Sequence, residues 1–124
     1  MFFQRRQLPL TLRHFPFGRR RPLVIHYRPT NGDLEHLFAG WPLVGLPTVG
    51  VNEAGFALSF NYFETDPQVG LALPQWPHRR ALQTARSVED GIRLFVEARE
   101  RGISSFMVMA DASGAIAMVE YANG

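Results

Sequence analysis

The sequence predicts an α+β fold: an antiparallel sheet with two helices on one face. Three observations predict it. Two short stretches, Asn52-Glu53-Ala54-Gly55 and Asp111-Ala112-Ser113-Gly114, each divide runs of strand-forming residues. An Asn or Asp start with a Gly end is hairpin-turn chemistry. Residues 56–63 alternate strictly, with Phe56, Leu58, Phe60 and Tyr62 on one row and Ala57, Ser59, Asn61 and Phe63 on the other. That period of two describes a strand with a single buried face. Between the two hairpins, residues 78–101 place apolar side chains at helical spacing.

The elements follow in order. Residues 1–21 have no period and are interrupted by Pro9, Pro16 and Gly18, so they read as an irregular basic segment. The expected domain is residues 22–124. Pro22 to Arg28 is a strand with a proline at its entry. His26 in it reads as a satisfied strand histidine sooner than as a base. Pro29 to Gly32 is a turn. Leu34 to Ala39 is a second strand, on which Glu35 and His36, as neighbours, face opposite ways and cannot share a site. Residues 40–47 are rich in Gly and Pro and read as a loop or irregular edge. Thr48 to Val51 is the first arm of the hairpin that Phe56 to Phe63 completes. Gly55 supplies the positive φ the turn needs.

Residues 64–77 are a long connection with four prolines or glycines, and loops of that length often cover something. Leu71, Leu73 and Trp76 either line a pocket for an apolar acyl group or seal the core. A first helix is expected from His78 to Arg86, burying Ala81, Leu82 and Ala85. A second starts at Ser87 as N-cap, with Asp90 completing a capping box. It buries Val88, Ile92, Phe95 and Val96 and stops at Gly102. Ser104 to Ala110 and Ala115 to Tyr121 form the second hairpin.

The totals exclude several classes. With 124 residues the chain holds one domain, burying roughly two-thirds of its unfolded surface. There is no cysteine, so disulfides, thiolate metal sites and a thiol nucleophile within this chain are excluded. No apolar run approaches the ~20 residues of a membrane span, and the first residues carry no apolar segment of signal-peptide length. No membrane association is expected, and a cytoplasmic location is the default. No cofactor or metal is expected. The net charge is +2 and all basic residues are arginines, seven of them before the first acid, Asp33. That basic start could bind nucleic acid. No RNA-binding aromatic motif, helix-turn-helix or zinc pattern accompanies it, so a solvated basic segment is the better reading.

Several motifs, taken together, resemble a known family. They are Gly-Val-Asn-Glu-Ala-Gly-Phe-Ala at 50–57, the strand ending at Asn61, Arg-Ala-Leu at 80–82, Ser-Val-Glu-Asp-Gly-Ile at 87–92, Met-Ala-Asp-Ala-Ser-Gly at 109–114 and Val-Glu at 119–120. In this order, across residues 22–121, they resemble the acyl-coenzyme A:6-aminopenicillanate acyltransferase-like family of N-terminal-nucleophile hydrolases. The resemblance implies an αββα sandwich, two antiparallel sheets between helix layers. It also implies acyl transfer or hydrolysis at a linear amide, by a cysteine freed at the chain start whose own α-amino group is the base. Donors then hold the oxyanion, each worth about 2.7–4 kcal/mol in the transition state.

By that resemblance Asn61 is the catalytic candidate, an oxyanion donor acting largely through its backbone N–H. Tyr62 and Trp76 are the substrate-binding candidates. The family's nucleophile position would precede Met1, and a second donor would follow Gly124. The expectation is therefore a truncated or degenerate member, inactive alone for want of a nucleophile. Thr48 could replace the cysteine only after cleavage behind Pro47, which nothing in the sequence suggests. The expected partner is a small amide or acyl substrate. The alternative is a non-catalytic binding or assembly module that self-associates or binds nucleic acid weakly.

Overall fold

The computed structural model describes residues 23–41, 46–62, 76–98 and 105–121. These hold β1 (Leu23–Tyr27), β2 (His36–Trp41), β3 (Leu46–Asn52), β4 (Ala57–Tyr62), α1 (Trp76–Thr84), α2 (Val88–Glu97), β5 (Ser105–Ala110) and β6 (Ile116–Tyr121). The six strands form one sheet in the order β1-β2-β3-β4-β5-β6, with every neighbouring pair antiparallel. Both helices lie between β4 and β5 in sequence and pack on one face of the sheet. The α+β prediction therefore holds, and one sheet with one helix layer is compatible with half of an αββα sandwich.

The core forms where the apolar row of each strand meets the apolar side of each helix. Phe38, Phe56, Leu58, Met107 and Met109 come from the sheet; Ala81, Leu82, Ala85, Val88 and Phe95 come from the helix layer. Helix and sheet approach closely at Gly91. A Cβ there would stand 2.8 Å from Phe56 Cζ and 2.8 Å from Met109 Sδ, so only glycine lets α2 settle at this depth.

Both hairpin turns have the expected form. Gly55 has φ 83° and Gly114 has φ 88°, the left-handed conformation that favours glycine. Asn52 does more than start its turn. Its side-chain oxygen accepts from the N–H of Ala54 (3.1 Å) and of Phe56 (3.0 Å). Its buried amide nitrogen donates to the carbonyls of Leu82 (3.1 Å) and Ala85 (2.7 Å). Leu82 is in the last turn of α1 and Ala85 directly follows its end, where carbonyls have no intrahelical donors left. Asp111 does the same at the other hairpin: its carboxylate accepts from Val88 N–H (2.8 Å) at the start of α2 and from Ser113 N–H (2.9 Å).

Several boundaries differ from expectation. β2 begins at His36, because Leu34 N–H is already committed to Gln83 O (2.8 Å) on α1. It continues through Gly40 and Trp41, assigned above to a loop, by way of a register shift after Ala39. The Thr48 hydroxyl donates to Ala39 O (2.9 Å) at that shift. α1 runs from Trp76 to Thr84, two residues ahead of the predicted span. In α2 the Ser87 hydroxyl accepts from Asp90 N–H (3.1 Å) as predicted, while the Asp90 carboxylate accepts from Arg86 N–H (3.1 Å). α2 closes at Ala98, before the predicted stop; Gly102 lies outside the described residues. Val96, predicted to be buried, is 65 % exposed, and Gly91 takes its place in the core stripe. Val88, Gly91 and Phe95 share one narrow helix face, and Val96 is turned some 100° from Phe95. The basic segment 1–21, Leu71 and Leu73 also fall outside the described residues.

Two stability outcomes follow from the turn contacts. Asn52→Ala leaves buried carbonyls and N–H groups without partners, at about 1–3 kcal/mol for each group left unsatisfied. Chemical denaturation should show a loss of about 3 kcal/mol or more, with an unchanged far-UV spectrum in whatever folded fraction remains. Asp111 is held below its ordinary carboxylate value of 3.8, first by the Ser113 hydroxyl and then by the Val88 N–H. A lowered folded value gives stability that is present above the unfolded pKa and lost as pH falls through the folded one. Asp111→Ala should therefore lower the melting temperature at pH 7, and the gap from the parent chain should shrink below about pH 4.

Candidate functional site

The helices cover one face of the sheet, and among the described residues no helix lies on the other. Strand alternation and register place the outer-face residues in rows. One row crosses all six strands as Val24, Ala39, Val49, Ser59, Val108 and Met118. A second is His26, Leu37, Val51, Ala57, Ala110 and Ile116. The end of the sheet near the start of β5 and the ends of β4 and β6 carries a third, shorter row: Asn61, Phe106 and Glu120. Asn61 pairs across β4–β5 with Phe106, which pairs in turn with Glu120.

Asn61 is half-buried on this face. Its neighbours along and across the sheet are small or apolar, with one exposed carboxylate, Glu120, two strands away. Two strand spacings are about 10 Å. A ligand lying across β5 would thus meet an amide, an aromatic ring and a carboxylate in turn. Antiparallel ladders alternate the direction in which successive residues point their backbone groups. Asn52 N–H bonds to Phe56 O (2.9 Å) across β3–β4, so even-numbered residues of β4 face β3 and Asn61 faces β5. The backbone N–H of Asn61 is thereby turned into the sheet, opposite Phe106. The side chain of Asn61 stands on the helix-free face.

The other candidates fall elsewhere. Tyr62 is the last residue of β4, paired with Ser105. Trp76 opens α1, on the helix-covered side of the sheet. Thr48 sits within β3 with its hydroxyl engaged by Ala39 O, a poor setting for a nucleophile. Glu35 and His36 separate as expected. His36 is buried with Nδ1 at 2.8 Å from Leu34 O, while Glu35 meets His26 Nε2 and Arg28 at the exposed β1 edge. The His26 contact, followed by the Arg28 charge, holds Glu35 below its ordinary value despite some opposing desolvation. Among the described residues, no group of three or more His, Asp or Glu side chains is placed to hold a metal ion.

Phe106 and Glu120 escaped the sequence reading as companions of Asn61. The signal was available in the second hairpin: counting back from the Asp111–Gly114 turn sets Phe106 opposite Glu120. Nothing in the sequence says that β4 lies beside β5, because two helices separate them.

The model of the family described as acyl-coenzyme A:6-aminopenicillanic acid acyl-transferase matches residues 39–124. That is well over half of the chain, and the chain belongs to this family. The match starts within β2 and leaves β1 outside it, a narrower span than the motifs suggested. No curated protein matches the chain significantly. No helix among the described residues is long and apolar enough to cross a membrane.

The placement of Asn61 yields a test of its role. A half-buried residue on an uncovered face contributes little to folding, and surface substitutions usually stay within about 0.5 kcal/mol. Asn61→Ala should unfold at the same urea concentration as the parent within that margin. A loss of several kcal/mol would assign Asn61 to the architecture instead.

Proposed function

We propose that this chain forms one wall of an acyl-transfer pocket acting at linear amides, with the Asn61 side chain as oxyanion donor, and that it does not turn over substrate by itself. The observation that carries this reading is the position of Asn61. It stands half-buried on the helix-free face of a central strand, in a chain that belongs to an acyltransferase family. Attack on an amide carbonyl places negative charge on its oxygen. A fixed amide N–H at that point stabilises the charge without reorganising at the moment of reaction. Phe106 beside it suits an apolar acyl group. The substrate class would be a small acyl-amine or its acyl-thioester donor.

The missing component is the nucleophile. The sequence has no cysteine, and Thr48, the substitute considered above, is engaged within the sheet. A donor without an attacking group holds an oxyanion that nothing generates.

The purified chain should be assayed for acyl transfer from an acyl-coenzyme A to 6-aminopenicillanic acid and for hydrolysis of penicillin V. The expected result is no turnover above buffer. Turnover that persists in both Asn61→Ala and Thr48→Val would overturn the mechanism.

A further inference from the structure

The loop between β1 and β2 carries Asn31-Gly32, a turn dipeptide whose chemistry neither the core nor the acyl site uses. Both residues are exposed. The Asn31 side chain folds back over its own peptide: Oδ1 accepts from Asp33 N–H at 3.3 Å, and Nδ2 donates to Asp33 Oδ2 at 3.0 Å. That is an Asx turn, in which the side-chain amide sits over the residues after it. Gly32 follows with φ 88°, and a Cβ built on it would meet nothing within 4 Å. No backbone carbonyl takes its N–H among the described residues. The other described asparagines are placed differently. Asn52 is buried with its amide committed to α1, and the N–H that follows it, on Glu53, is held by Glu35 O at 2.9 Å. Asn61 lies within β4 and is followed by the bulky Tyr62.

We propose that Asn31-Gly32 is a site of spontaneous covalent modification in the folded protein: the Gly32 nitrogen closes a ring on Asn31 Cγ, and the ring opens to aspartate or isoaspartate at position 31. The Gly32 nitrogen, its proton taken by solvent base, attacks Cγ and forms a C–N bond. Charge gathers on Oδ1, which already faces Asp33 N–H, a donor placed as in an oxyanion hole. The Cγ–Nδ2 bond breaks, and the amide nitrogen leaves as ammonia with a proton from water. Water then opens the ring. Breaking the ring nitrogen's bond to Cγ leaves aspartate. Breaking its bond to the main-chain carbonyl carbon of Asn31 leaves isoaspartate, whose backbone runs through the side-chain carbons. Water is consumed, ammonia is released, and nothing is oxidised or reduced.

The position gives the change a structural consequence. The same loop is tied to α1: Asp33 pairs with Arg80 at 3.4 Å, and Leu34 N–H donates to Gln83 O at 2.8 Å. A carboxylate at 31 removes the donor that Asp33 Oδ2 accepts from and sets a like charge beside it. Isoaspartate also lengthens the main chain just ahead of both ties. The modified loop therefore holds α1 less firmly. The site is independent of whether Asn61 meets an acyl substrate.

Peptide mapping by mass spectrometry tests this on the full chain, kept folded at mildly alkaline pH. Residue 31 should gain about one dalton, part of it as isoaspartate, which only the ring route yields. The same dipeptide recurs at Asn123-Gly124, outside the described residues, so the two peptides are read separately. Gly32→Ala should slow the change at 31 about tenfold, because a Cβ hinders attack and resists the positive φ. A second measurement uses the parent chain alone and does not depend on that variant folding. Ion exchange separates the modified molecules, and their Leu34 amide hydrogen should exchange severalfold faster than in the unmodified fraction. An asparagine at 31 that stays unchanged in the folded chain overturns the proposal. So does aspartate there without isoaspartate, or a modified fraction whose Leu34 exchange is unaltered.

Discussion

The buried amide of Asn52 is the contact on which the arrangement of layers depends. One side chain accepts two N–H groups of its own turn and donates to two carbonyls at the end of α1. The turn and the helix end would each present unpaired polar groups to a dry interior without it. The hydrogen bonds are directional, so they fix where α1 ends relative to the β3–β4 hairpin. Packing alone is less exacting, because apolar contacts tolerate sliding. Asp111 plays the matching part for α2, joining the β5–β6 hairpin to the helix start through Val88 N–H. Each helix is thus pinned at one terminus by the polar residue that opens a hairpin.

Close packing then follows from small residues placed between these pins. Gly91 lets α2 rest on the ring of Phe56. Gly50 does the same for α1, since a Cβ there would stand 2.6 Å from Leu82 Cδ1. Phe56 is central to both constraints: its N–H is held by Asn52 and its ring fills the space Gly91 leaves. The motif at 50–57 is therefore first a structural device. It holds in place the strand that carries Asn61 onto the opposite face.

The opposite face is built differently. Its middle rows are apolar and suited to being covered, while one end offers an amide, a ring and a carboxylate in a line. A pocket formed between two stacked sheets would use both properties: the rows would exclude water and the polar end would meet the ligand. Charge stabilisation by an amide is strongest where water is excluded, so covering the rows and using Asn61 are physically linked.

Much of this was legible in the residues. The two hairpins, the buried row of β4, the Ser87 cap and the core positions of Ala81, Leu82 and Ala85 follow from local periodicity and turn chemistry, which act over a few residues. The same local rules misplaced the start of β2 and the end of α2, where Gln83 O takes the Leu34 N–H and helix phase turns Val96 outward. Asn61 was legible as a residue on the uncovered side of its strand, but its companions were not. By itself the sequence determined the elements, their faces and the absence of a thiol. Only the tertiary structure decided that β4 pairs with β5, which puts Phe106 and Glu120 beside Asn61, and that Asn52 clamps α1. Those contacts join residues far apart in the chain, and no local preference encodes which distant partner a strand edge or a buried amide will meet.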